Sequence, residues 1–151
     1  MTTPRIVVDS NVVISGFLFG GTPARVLGAV VEGRARCFIS LPILDELRGV
    51  LQRPKFGLAP EQVLSFVEEF HLLCEVVAPR TVVHVIGEDP ADNRILKCAV
   101  EAKAEVIVSG DSHLLELREW GSIGILSPTD FMRKMGSQHG VARYSAKPRR
   151  P

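Results

Sequence analysis

The sequence predicts an α/β domain in which a mostly parallel sheet is covered by helices on both faces. Short β-branched runs, Ile6-Val7-Val8 and Val106-Ile107-Val108, lack the alternation of a strand with one wet face. They read as strands buried on both sides. These runs alternate along the chain with segments of helical period, and such strand–helix–strand units close through right-handed crossovers. Both runs also stop abruptly at small polar residues and a carboxylate, Asp9 in one and Asp111 in the other. In an open parallel sheet, ligands gather at the carboxyl ends of the strands.

The first strand, from Arg5, ends in Asp9-Ser10-Asn11, and a new apolar segment, Val12 to Leu18, follows at once. Gly20-Gly21 marks a flexible loop. Thr22 as N-cap and Pro23 at the first helical position then open a helix that stops at Gly33. Residues 37–40 form a second short strand, and Ser40 or Pro42 starts a helix to about Gln52, with Pro54 as its stop. Pro60 begins a longer helix in which Val63, Leu64, Phe66, Val67, Phe70 and Leu73 recur at helical spacing. Residues 75–77 are a short strand candidate. Asp89-Pro90 opens a helix through Ala102, with Asp89 as its N-cap, and residues 106–109 follow as a strand. A short helix comes after Asp111, and residues 123–126 are the final strand. Ser127-Pro128-Thr129-Asp130 starts a last helix, with an acid at N3, reaching about Met135. There is no internal repeat. Residues 1–136 therefore read as one domain, and residues 137–151, without an apolar period, as a basic and disordered tail.

A chain of 151 residues can bury about two thirds of its unfolded surface, and an apolar fraction of 46% is ordinary for a soluble globular protein. No apolar run approaches the ~18 residues of a membrane span, and the N-terminus lacks a secretory apolar region. Cys37, Cys74 and Cys98 are scattered without a Cys-x-x-Cys spacing. They suit buried thiols in a reducing cytoplasm better than a disulfide framework or a zinc site. The formal net charge of +1 conceals a division. The tail carries Arg143, Lys147, Arg149 and Arg150 and no acid, which leaves 14 basic against 17 acidic groups elsewhere. A mildly acidic body with a basic tail is not a tight, non-specific nucleic-acid binder. The four tail cations are candidate RNA contacts.

Four acids stand out by where their elements point them. Asp9 and Asp111 end strands, although each also suits capping of the helix that follows. In the helix from Ala91, the residues Ile95, Leu96, Ala99 and Val100 define an apolar stripe, and Asp92 falls near its middle. An acid at N3 favours the helix dipole, yet this one faces the core side. Glu46 lies on the shoulder of the face formed by Ile43, Leu44, Leu47, Val50 and Leu51, while Asp45 points toward solvent. A shoulder glutamate ordinarily snorkels or forms a salt bridge. Together the four fit one crevice. Two unit charges ~4 Å apart repel by about 4 kcal/mol at an effective dielectric of 20, a cost tolerated when a cation sits between them or a pKa rises. All-oxygen ligation suits Mg²⁺ or Mn²⁺, ions that activate water against a phosphodiester.

Ile-Val-Val-Asp9-Ser-Asn11, Glu46 after Leu-Pro-Ile-Leu-Asp, Asp89-Pro-Ala-Asp92-Asn93 with Ile95-Leu96, and Ser109-Gly-Asp111-Ser-His113 together resemble the PIN-domain family. Within that family the chain resembles the bacterial toxin-like proteins of VapC type, and the likeness runs from about Arg5 to Met135. It implies a three-layer α/β/α sandwich and a Mg²⁺- or Mn²⁺-dependent endoribonuclease. It further implies a toxin restrained by a small antitoxin protein, and a tendency to form homodimers. Carried over by position, Asp9, Glu46, Asp92 and Asp111 are the acidic quartet, with Asp9, Asp92 and Asp111 on the metal. Asn11 and Ser109 are supporting polar groups. Two other readings compete: a PIN-fold RNA- or protein-binding module that no longer cuts, and an aspartate-dependent phosphatase. The phosphatase expects a second Asp two residues after Asp9, and this chain has Asn11.

Overall fold

Arg5–Val8 (β1) is the strand from which the sheet is built outward in both directions. The computed structural model describes residues 3–80 and 90–139, with the side chains of residues 90–92 and 137–139 left aside. Ile6, Val7 and Val8 are all buried, as an uninterrupted apolar strand covered on both faces must be. Two helices follow, Ser10–Phe19 (α1) and Gly21–Val31 (α2), before Arg36–Ile39 (β2). Leu41–Leu51 (α3), a 3-10 turn at Pro54–Phe56 and Pro60–Leu73 (α4) lead to Glu75–Val76 (β3). Pro90–Ala102 (α5) precedes Val106–Val108 (β4). Ser112–Leu117 (α6), Glu119–Trp120 (β5), Ile123–Leu126 (β6) and Pro128–His139 (α7) complete the described chain.

The strand order is β3-β2-β1-β4-β6-β5, parallel throughout except for the antiparallel β5–β6 pair. From β1 the chain moves outward through β2 to β3, then returns to place β4 on the other side of β1. The order therefore reverses between β1 and β4, and a crevice opens at their carboxyl ends. Right-handed crossovers put helices on both faces of such a sheet. α5 lies across β1, β2 and β4 and buries Ile95, Leu96, Cys98, Ala99 and Ala102, while α2 packs against α1 and α7. This is the three-layer α/β arrangement the sequence predicts.

Local departures have local causes. Where a flexible loop is expected at Gly20-Gly21, the structure has one break residue between α1 and α2, and both glycines take positive φ (75° and 69°). Backbone of that kind suits glycine, so the second helix starts at Gly21 rather than at a Thr22 cap. Gly16 answers a different need: a Cβ there would come within 3.0 Å of Leu27 Cδ1 and the Pro23 backbone, so α1 and α2 meet too closely for a side chain. On α4, Val63, Phe66 and Phe70 are buried, but Leu64 and Leu73 face solvent despite their place in the apolar period. The two-residue β5 carries no readable pattern and exists because Gly121 (φ 62°) turns the chain back along β6. The last helix runs to His139 rather than to Met135, passing through Gly136. The Asp89 cap and the cations Arg143, Lys147, Arg149 and Arg150 lie outside the described residues.

Cys37 and Cys98 are buried free thiols and Cys74 is half-buried. Burial pushes the Cys98 thiol up to about 12, with the neighbouring Cys37 adding to it, so Cys98 stays protonated. Among the described residues no single helix is long and apolar enough to cross a membrane.

Candidate active site

Burying a polar side chain costs free energy unless it is hydrogen-bonded, so the few that are buried mark places of special design. Among the described residues these are Asp9, Ser10, Ser40 and Ser109. All four sit just beyond the carboxyl ends of β1, β2 and β4, around the point where the strand order reverses. Asp9 is the one charged residue in the group.

The register explains how Asp9 and Ser109 meet. Val8 lies opposite Val108, so the next residue on each strand faces the other across the parallel pair. The Asp9 backbone N–H donates to Val108 O at 2.9 Å, and the Ser109 hydroxyl donates to Asp9 Oδ2 at 2.8 Å. Ser109 Oγ in turn accepts from the Asp111 backbone N–H at 2.9 Å. Asn11 Oδ1 accepts from the Gly110 N–H at 3.3 Å and ties the start of α1 to the loop after β4. The two acid-bearing strand ends are thus stitched together by short side chains.

Capping, the competing account of the strand-end acids, divides them. Asp9 makes no side-chain cap to α1; its carboxylate is turned to Ser109 instead. Asp111 does cap α6, accepting from the His113 backbone N–H at 2.8 Å. The His113 ring is exposed, with Nδ1 3.8 Å from Asp111 Oδ1.

Glu46 enters the crevice from α3. Its Oε2 accepts from the Ser10 hydroxyl at 3.2 Å and its Oε1 from Arg94 Nη2 at 3.2 Å. Glu46 therefore does form the salt bridge usual for a shoulder glutamate, but at the mouth of the crevice and with only 24% of its side chain exposed. Asp45 is 70% exposed and paired with Arg48 one helical turn on, so the helix phase expected for these neighbours holds. Sequence reasoning missed Ser10 and Arg94. Ser10 stands inside the polar run after β1, and Arg94 two residues past Asp92, yet no local pattern links either to Glu46.

The acids also feel one another's charge. Burial raises the Asp9 carboxyl to about 6, and the nearby charges of Glu46 and Asp111 push the same way against the Ser109 and Ser10 hydrogen bonds. Asp92 belongs to the first turn of α5, whose Arg94 reaches Glu46; its side chain is not among those described. Among the described residues no three His, Cys, Asp or Glu side chains form a ready metal cage. Even so, a buried carboxylate crowded by two like charges has the chemistry of a donor set for a hard cation.

A model of the PIN domain matches residues 5–113, most of the chain and all four acids. The chain belongs to the PIN-domain family. PIN domains are in general metal-dependent nucleases that act on RNA. No curated protein matches the chain. The matched span covers β1 to the start of α6, so it includes both strand ends and both helices that frame the crevice of this PIN domain.

Proposed function

We propose that this PIN domain is a Mg²⁺- or Mn²⁺-dependent endoribonuclease whose acidic quartet is Asp9, Glu46, Asp92 and Asp111. One observation carries the reading above all others. Asp9 is buried at the strand switch point beside two further acids, an arrangement whose burial and like charges cost the metal-free fold energy. Asp9, Asp92 and Asp111 would hold the cation, which supplies positive charge and a more acidic water. Ser109 orients Asp9, and Asn11 holds the loop that carries Asp111. Glu46, steadied by Ser10 and Arg94, accepts the proton of the attacking water. The basic tail adds phosphate contacts through Arg143, Lys147, Arg149 and Arg150.

The likeness to VapC-type proteins extends the reading to a toxin restrained by a small antitoxin, acting as a homodimer. Purified protein should cut single-stranded RNA with Mn²⁺ or Mg²⁺, stop in EDTA and resume when the metal is restored. Cleavage that survives EDTA and fades on further purification would point to a contaminating ribonuclease and end the proposal. Growth arrest on expression of wild type, absent for Asp9→Asn, is the corresponding test of the toxin role.

A further inference from the structure

Beside the acidic crevice, α3 and α5 border an open cleft of about 550 Å³ lined by Pro42, Asp45, Glu46, Gly49, Val50, Arg53 and Arg94. Asp45 is already paired with Arg48, and Glu46 accepts from one Arg94 nitrogen and from the Ser10 hydroxyl. The Arg53 side chain makes no hydrogen bond or ion pair among the described residues. Arg94 Nε is buried without a hydrogen-bond partner there. The cleft therefore carries two guanidinium groups, of which Arg94 is only partly engaged by the fold and Arg53 is not engaged among the described residues.

Gly49 gives an independent sign. It lies within α3, its φ is not positive, and a Cβ built on it would meet nothing within 4 Å. Neither backbone conformation nor close packing calls for glycine, which weakens a helix relative to alanine. What a side chain at position 49 would take up is the space of the cleft. The contrast with Gly16, where two helices touch, is direct.

We propose that this cleft receives the substrate strand next to the cut bond, with Arg53 and Arg94 on a backbone phosphate and Pro42 and Val50 against the sugar and base. The assignment rests on the ribonuclease reading above. Guanidinium groups suit phosphate because their planar donors match its oxygens. Arg94, shared between cleft and crevice, is the positioning residue that links strand binding to the setting of Glu46.

The test measures binding of a labelled single-stranded oligoribonucleotide by fluorescence anisotropy across a salt series, with cleavage disabled by Asp9→Asn. Arg53→Gln should weaken binding about five- to tenfold at low salt and reduce the salt slope by about one. Gly49→Glu, which both fills and recharges the cleft, should weaken it more than about tenfold. Arg25→Gln removes an exposed charge from α2, which packs chiefly against α1 and α7, and should change nothing. With Asp9 restored, Arg53→Gln should raise KM and leave kcat within about twofold, a split that a merely structural role would not produce. Should Gly49→Glu fail to fold, Arg53→Gln still decides.

Binding that both cleft variants leave at the parent level, in a protein that cuts RNA, overturns the cleft and leaves the nuclease reading intact. Binding lost in the cleft variants of a protein that never cuts supports the cleft and defeats the nuclease reading. Absence of RNA binding in every form overturns both.

Discussion

Replacing Asp9 by Asn should make the metal-free protein more stable at neutral pH, the reverse of what removing a structural acid does. In the folded chain the Asp9 carboxyl titrates near 6, against an ordinary value of 3.8. Between those values the folded state keeps a proton that the unfolded state has released. Stability from this group is therefore highest in acid, falls as pH rises through that window, and is fully lost above 6. A shift of about two units is worth at most ~3 kcal/mol, and at 7% exposure little of it is screened by solvent. Asn keeps an oxygen to accept the Ser109 hydroxyl while removing the charge. In EDTA at pH 7.5, Asp9→Asn should then exceed wild type by about 1–3 kcal/mol, or about 2–4 °C in melting temperature per kcal/mol. Near pH 4 the two should converge, because the native carboxyl is protonated there. Millimolar Mn²⁺ should raise the melting temperature of wild type and do much less for the mutant, since a ligand at a hundred times its Kd adds about 2.7 kcal/mol. An Asp9→Asn protein that is less stable than wild type by the same amount at every pH would refute the reasoning and make Asp9 an ordinary structural acid.

Glu46→Gln should cut cleavage by at least about a hundredfold, in the range of a lost general base, whereas Asp45→Asn should stay within a few fold of wild type. The two residues are neighbours on α3 with opposite outlooks, so equal losses in a cleavage assay would defeat the assignment of Glu46. Ser109→Ala should destabilise the fold by about 1–3 kcal/mol in urea titrations, because it strips a fully buried hydroxyl from Asp9 and from the Asp111 amide. The same change removes an influence that lowers the Asp9 pKa, so carboxyl titration followed by NMR should move it still higher. A pKa that stays put or falls would show that Ser109 does not govern Asp9.

A salt bridge and a helix cap, the ordinary roles of surface acids, do occur here, and they do not compete with the functional assignment. Asp111 caps α6 through one oxygen, and Glu46 pairs with Arg94. A cap is local and cheap to satisfy, so a residue can carry it and still turn its remaining lone pairs to a ligand. Asp9 is the exception that separates the accounts. Among the described residues of the quartet it is buried deepest, does not cap its helix, and feels both Glu46 and Asp111.

By itself the sequence determined the α/β class, the buried central strands, the strand ends that carry Asp9 and Asp111, and the outward turn of Asp45 beside the inward shoulder of Glu46. Each of these rests on periodicity or on the polarity of adjacent residues, which are short-range properties of the chain. Only the tertiary structure decided which strands adjoin, and so that the crevice opens between β1 and β4. It also decided that Ser109 rather than a helix terminus takes the Asp9 carboxylate, and that Ser10 and Arg94 hold Glu46. Those partners lie 100, 36 and 48 residues apart in sequence. A contact of that span leaves no trace in the local pattern at either end, because it is set by strand order and register. For the same reason the raised proton affinity of Asp9 was beyond the sequence: it arises from burial and from charges that only the assembled sheet brings together.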